Sequence, residues 1–157
     1  MAERARSASQ KNLVGFVVGD VQYAIEIARV REIVNPLEVT PLPHTPGEVA
    51  GVADHRGEVV PVIELRRRFG LPDRAADRAT KWILVTTRDH LVGLVVDRVS
   101  DVFGAVSEDI RATPEVGGNR QVRGISGVVS HGGKLTFVLD TTRFAEIVDE
   151  LAARGAL

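Results

Sequence analysis

The reading of the fold turns on Gly51-Val52-Ala53-Asp54-His55-Arg56-Gly57-Glu58-Val59-Val60-Pro61-Val62-Ile63-Glu64. Val49 to Ala53 and Glu58 to Glu64 are rich in valine and isoleucine and are separated by the polar link Asp54-His55-Arg56-Gly57. β-Branched runs suit a pleated, half-buried surface, and a short link ending in glycine predicts a β-hairpin. The same construction recurs downstream, where Ile125 to Ser130 and Lys134 to Leu139 flank His131-Gly132-Gly133. A shift of 76 residues lays Gly51 on Gly127, Val52 on Val128, His55 on His131, Gly57 on Gly133, Val62 on Val138 and Glu64 on Asp140.

Upstream, Leu13 to Val18 and Val21 to Ile25 flank Gly19-Asp20, where a leading glycine suits a two-residue hairpin turn. Lys81 to Thr86 and Leu91 to Val96 repeat that design around Arg88-Asp89-His90. A shift of 69 residues carries Asp20 to Asp89, Ile25 to Leu94, Val30 to Val99, Glu32 to Asp101 and Ile33 to Val102. The two offsets differ by seven residues, which an insertion in the polar stretch Gly104 to Gln121 absorbs. Together they describe a duplicated unit of about 70 residues. Units of that size are marginal alone because they bury little surface, so the two are expected to pack together and leave a seam.

Between the hairpins, Ile27, Val30, Ile33 and Val34 fall at helical spacing, which predicts two helical turns ended by Pro36. Asn35 to Gly47 carries four prolines and reads as an irregular loop. Leu65 to Phe69 reads as one helical turn. Asp140 or Thr141 can cap a final helix whose Phe144, Ile147, Val148 and Leu151 make one apolar stripe. The expected organisation is a disordered tail over 1–11 and a single domain over 12–151. Within the domain, subdomain 1 covers about 12–70, a connector 71–80, subdomain 2 about 81–140, and the C-terminal helix extends over 141–154.

Composition narrows the function. With 25 valines, seven aromatic residues, 15 glycines and seven prolines, the chain reads as all-β with a few short helices. Twenty basic residues against 21 acidic ones give a net charge of -1, which weighs against nucleic acid as a partner. The absence of cysteine excludes disulfides, thiolate metal sites and cysteine nucleophiles. No apolar run approaches the length of a membrane span, and no secretory signal opens the chain, so a cytoplasmic protein without membrane insertion is expected.

Catalytic patterns are sparse. His44, His55, His90 and His131 show no metal-ligand spacing, and no phosphate-binding glycine loop or nucleophile elbow is present. No metal, no cofactor and no enzymatic activity are expected. Two rivals stay open on the residues alone: a symmetric site using His55 with His131, and a nucleic-acid contact using Arg66-Arg67-Arg68.

Four segments in order carry a resemblance. Tyr23 to Val34, Gly51 to Arg66, Val92 to Val102 and Gly124 to Asp140 resemble the CheW family of chemotaxis coupling proteins, across about Leu13 to Leu151. The resemblance implies two SH3-like five-stranded β-barrels, one per half, sharing a hydrophobic seam. It also implies a non-catalytic adaptor between the cytoplasmic tip of a methyl-accepting chemoreceptor and the regulatory domain of a CheA-type histidine kinase, the alternative being an orphan CheW-like protein that binds only the kinase or modulates signalling. Carried over by position, Val30 and Glu32 fall where partners touch, and Gly51 and Arg56 on the motif where changes disturb coupling. Val99 and Val102 line the second half's side of the seam.

A receptor helix laid in that seam would meet Val30, Ile33, Val99 and Val102, with Glu32 and Arg56 setting register. The family usually places Asn-Leu before the Arg-Gly of its motif. Here Asp54 and His55 stand instead, a departure expected to bear on partner choice, with Asp54 as a local partner for Arg56.

Overall fold

A computed structural model describes residues 10–112 and 124–157. Most of the expected N-terminal tail, and residues 113–121 of the expected polar loop, lie outside the described residues. Ten strands follow in order: β1 (Gln10–Val18), β2 (Val21–Glu26), β3 (Val30–Val34), β4 (Val49–His55), β5 (Glu58–Glu64), β6 (Lys81–Thr87), β7 (His90–Val96), β8 (Arg98–Val106), β9 (Ile125–His131) and β10 (Lys134–Leu139). One helical turn, α1 (Leu65–Arg68), follows β5, and α2 (Ala145–Ala153) closes the chain after a 3₁₀ turn. Asp140 starts that turn, its carboxylate accepting from the Thr142 N–H at 3.0 Å. No helix among the described residues is long and apolar enough to cross a membrane.

The strands form two five-stranded sheets, β8-β1-β2-β10-β9 and β3-β6-β7-β5-β4. The duplication is visible strand by strand: β1, β2 and β8 stand in the first sheet where β6, β7 and β3 stand in the second, and β9 and β10 match β4 and β5. The expectation of one barrel per half is corrected by this order. Each sheet takes its central hairpin from one half of the chain and its other three strands from the other half. The exchange is sealed by parallel ladders, β2 against β10 and β7 against β5.

Val30 to Val34 is a strand, not the expected helix. A 3₁₀ turn over Ile27–Arg29 leads into it, and β3 pairs with β6 through Val30↔Val85 and Val34↔Trp82. Three of its five residues are β-branched, which disfavours helix and suits a strand. Gly104 to Val106 likewise continue β8 where a polar loop was expected.

The principal core lies between the sheets. Phe16, Val18 and Ile25 of the first sheet meet Ile63, Ile83 and Leu94 of the second, all at 0% exposure. Phe144 of the 3₁₀ turn and the α2 stripe Ile147, Val148 and Leu151 complete it, all buried. The seam is therefore solid packing filled by the protein's own side chains.

The two edges of each sheet are tied together. Beyond β3 the chain returns so that the Thr40 N–H donates to the Val52 carbonyl at 2.8 Å and Val52 donates back at 2.9 Å. Beyond β8 the same exchange joins Arg111 and Val128, at 2.9 and 2.8 Å. Val128 is the repeat equivalent of Val52, so both sheets close by one device.

Candidate functional site

A second tie, made of side chains, lies on the same edges. Glu32 on β3 is met by His55 and Arg56 from the β4–β5 turn, with His55 Nε2 3.0 Å from Oε2 and Arg56 Nη2 3.0 Å from Oε1. Strands β3 and β4 are opposite edges of one sheet, so this cluster spans the closure. In the first sheet, His131 Nε2 lies 2.8 Å from the Asp101 carboxylate, again joining the two edge strands, β8 and β9. The His131 ring also stacks on Phe103, with centroids 3.7 Å apart. Asp101 and His131 are the repeat equivalents of Glu32 and His55. Repeat offsets relate the two clusters to each other, while the meeting of acid and histidine within each depends on the sheet order.

The arginine distinguishes the two clusters. Arg56 and Gly57 have φ of 51° and 85°, and Gly132 and Gly133 have 60° and 77°, the signature of a two-residue type I′ hairpin turn. Glycine adopts that backbone freely, whereas a left-handed non-glycine residue costs about 1–2 kcal/mol. The turn carries this cost at Arg56, and the side chain so placed reaches Glu32 while remaining 77% exposed. Asp54 supports the turn: its Oδ1 accepts from the Gly57 N–H at 2.8 Å. The expected Asp54–Arg56 pairing is corrected accordingly, since the arginine's partner is Glu32. An asparagine oxygen could accept the same bond.

The remaining candidates divide. Val30 and Val99 are half-buried against the principal core, while Ile33 and Val102 are exposed at 39% and 59%. Val30 and Ile33 belong to the edge strand of the second sheet, and Val99 and Val102 to the edge strand of the first. Among the described residues, core side chains fill the space between the sheets, and these four positions lie on the edge strands. Gly51 has a structural reason: φ is 148°, and a Cβ there would run into the Thr40 carbonyl oxygen.

Both rivals lose their geometry. His55 and His131 sit on different sheets, each engaged by its own carboxylate. Among the described residues no group of three or more His, Asp or Glu side chains is placed to hold a metal ion. The basic run is internally neutralised: Arg66 pairs with Asp97, Arg67 with Asp73 and Arg68 with Glu48, at 2.8 to 3.0 Å.

Sequence reasoning did not single out Asp97. It accepts both prongs of the Arg66 guanidinium and the Gly19 N–H. Burial opposes its ionisation, but those three bonds prevail and hold its carboxyl below the usual range. It is the single residue between β7 and β8 and pins the β1–β2 turn to α1.

Asp101 titrates low for a simpler reason, the His131 hydrogen bond, against a small opposing effect of burial. A depressed carboxyl adds stability above its unfolded value near about 4 and loses it as pH falls through the folded value. Asp101→Asn should therefore cost up to about 1 kcal/mol at neutral pH, limited by solvent screening of a half-exposed pair. Urea midpoints for variant and parent should converge below about pH 4. A gap that stays constant into acid would count against the His131 bond.

Residues 12–148 match the CheW-like domain family. A chemotaxis protein CheW of Rhizobium meliloti is 31% identical over 132 residues, covering 83% of this chain and 84% of that protein. One of Helicobacter pylori is 38% identical over 102 residues, covering 65% of this chain and 62%, under two thirds, of that protein. The crystal structure of the scaffolding protein TtCheW from Thermoanaerobacter tengcongensis superposes with a TM-score of 0.75 at 27% identity, covering 83% of this chain and 88% of that one. Two interleaved β sheets with matched edge clusters define a duplicated scaffold. The chain belongs to the CheW-like domain family.

Proposed function

We propose that this chain is a non-catalytic adaptor that couples methyl-accepting chemoreceptors to a CheA-type histidine kinase, in the cytoplasm at receptor clusters. The observation that carries the reading is a family match running through both sheets, from residue 12 to residue 148. The geometry supports it. Large exposed apolar residues recur at repeat-equivalent positions, Ile33 with Val102 and Val59 with Leu135, so each sheet offers its own outward surface. Two surfaces on one rigid body suit a protein that holds two partners at once. Tethering in an array would raise the effective concentration of weak contacts to about the millimolar range.

The test is capture of the receptor tip and of the kinase regulatory domain, first separately and then together. Binding of each alone, and of both in one complex, is the expected outcome; failure to bind either rejects the adaptor. Arg56→Ala should weaken one partner several-fold and leave the other unchanged. Its effect on stability should stay within about 1 kcal/mol, because alanine is no worse than arginine in a left-handed turn and the lost ion pair is exposed. Equal loss of both partners with a lowered melting temperature would make Arg56 structural instead.

A further inference from the structure

We propose that His55 sets the charge of the surface around Glu32, so that Arg56 grips an acidic group of a partner more firmly as pH falls. The inference rests on the adaptor reading for the identity of that partner.

One carboxylate here is approached on both oxygens: His55 Nε2 lies 3.0 Å from Oε2, and Arg56 Nη2 donates to Oε1. The His55 side chain is 12% exposed and lies inward, whereas Arg56 is 77% exposed and makes a single contact from Nη2. With a neutral ring the three side chains sum to zero, Glu32 cancelling Arg56. With a protonated ring they sum to +1, and Glu32 can no longer neutralise both cations. The uncompensated charge appears on the exposed member, Arg56, whose planar fork matches a carboxylate. Histidine is the side chain whose charge ordinarily changes between pH 5 and 8.

The charged groups placed around the ring are Glu32 from β3, Arg56 from the turn, Glu58 facing His55 across the β4–β5 ladder, and the adjacent Asp54, whose carboxylate is engaged by the Gly57 N–H. The first sheet provides an internal control. His131 holds Asp101 in the equivalent place, but its turn is Gly132-Gly133 and carries no arginine.

The experiment uses the full chain in two arms. In the first, the Arg56 Nε–H resonance of ¹⁵N-labelled protein is followed from about pH 8 to about pH 6 without any partner. It should move in the parent and stay fixed in His55→Leu, which restores the family's usual apolar residue, and in His55→Gln, which keeps a polar side chain that cannot take up a proton. In the second, affinity for the receptor tip and for the kinase regulatory domain is measured at both pH values. The parent should gain about threefold for one partner on acidification, the worth of one exposed charge pair. His131→Leu should gain equally, and the two His55 variants should not. A His55→Leu protein that keeps the parent's pH dependence overturns the proposal. No binding at any pH overturns the adaptor reading instead, and an Arg56 signal moving alike in all proteins still overturns the charge coupling.

Discussion

Residues 1–78 and residues 79–157, expressed separately, are expected to remain unfolded, and to form one cooperative structure when mixed. Of the eight ladders in the two sheets, four join the halves: β1–β8, β2–β10, β3–β6 and β5–β7. The first half alone would keep two hairpins, β1–β2 and β4–β5, and leave β3 with no ladder at all. Isolated hairpins are marginal in water. Neither fragment could rebuild the core, since Phe16 and Ile63 come from one half and Ile83, Leu94 and the stripe of α2 from the other. Circular dichroism and ¹⁵N spectra of each fragment, then of an equimolar mixture, would decide the matter. A dispersed spectrum and a cooperative melt from either half alone would refute interdependence. The prediction separates interleaving from simple duplication, because barrels built one per half would each retain every ladder they need.

That distinction also marks what the sequence could reveal. The hairpins were legible because valine-rich runs flank compact turns, and α2 because Phe144, Ile147, Val148 and Leu151 share one face. The duplication was legible from offsets of 69 and 76. Which half a hairpin joins was not. Repeat-related strands offer nearly the same apolar face, so β2 pairs as plausibly with β5 as with its equivalent β10, and patterning is blind to the choice. Strand β3 misled for another reason. Its short run Val30 to Val34 places apolar residues where either a helix or a half-buried strand would, and only its β-branched content favours the latter. At the candidate site, Glu32, His55 and Arg56 were each conspicuous, yet their meeting required the sheet to bring its first and last strands together. Asp97 gave no signal, because its role lies in filling the one-residue step between two strands.

Gly51→Ala is expected to cost at least about 3 kcal/mol, enough to threaten folding of a domain of ordinary stability. A Cβ at this position meets Thr40 and Pro41, and the nearest atoms, the Thr40 carbonyl and the Pro41 Cα, belong to backbone. That backbone cannot retreat without breaking both Thr40–Val52 hydrogen bonds, which tie the edges of the second sheet. The φ of 148° adds strain of its own. Gly57 is the control in the same hairpin: φ is 85°, but a Cβ would meet nothing within 4 Å, so Gly57→Ala should cost only about 1–2 kcal/mol of left-handed strain. Gly127, the repeat equivalent, should fall between them, since a Cβ there meets the methyl of Ile110 at 2.9 Å and the Arg111 oxygen at 3.0 Å. Urea midpoints for the three variants test the order. Gly51 lies on the motif that family resemblance ties to coupling, so loss of partner binding in Gly51→Ala has two readings. If binding is lost while the midpoint matches the parent, Gly51 is a contact residue; if both fall together, coupling fails because the edges of the second sheet have come apart.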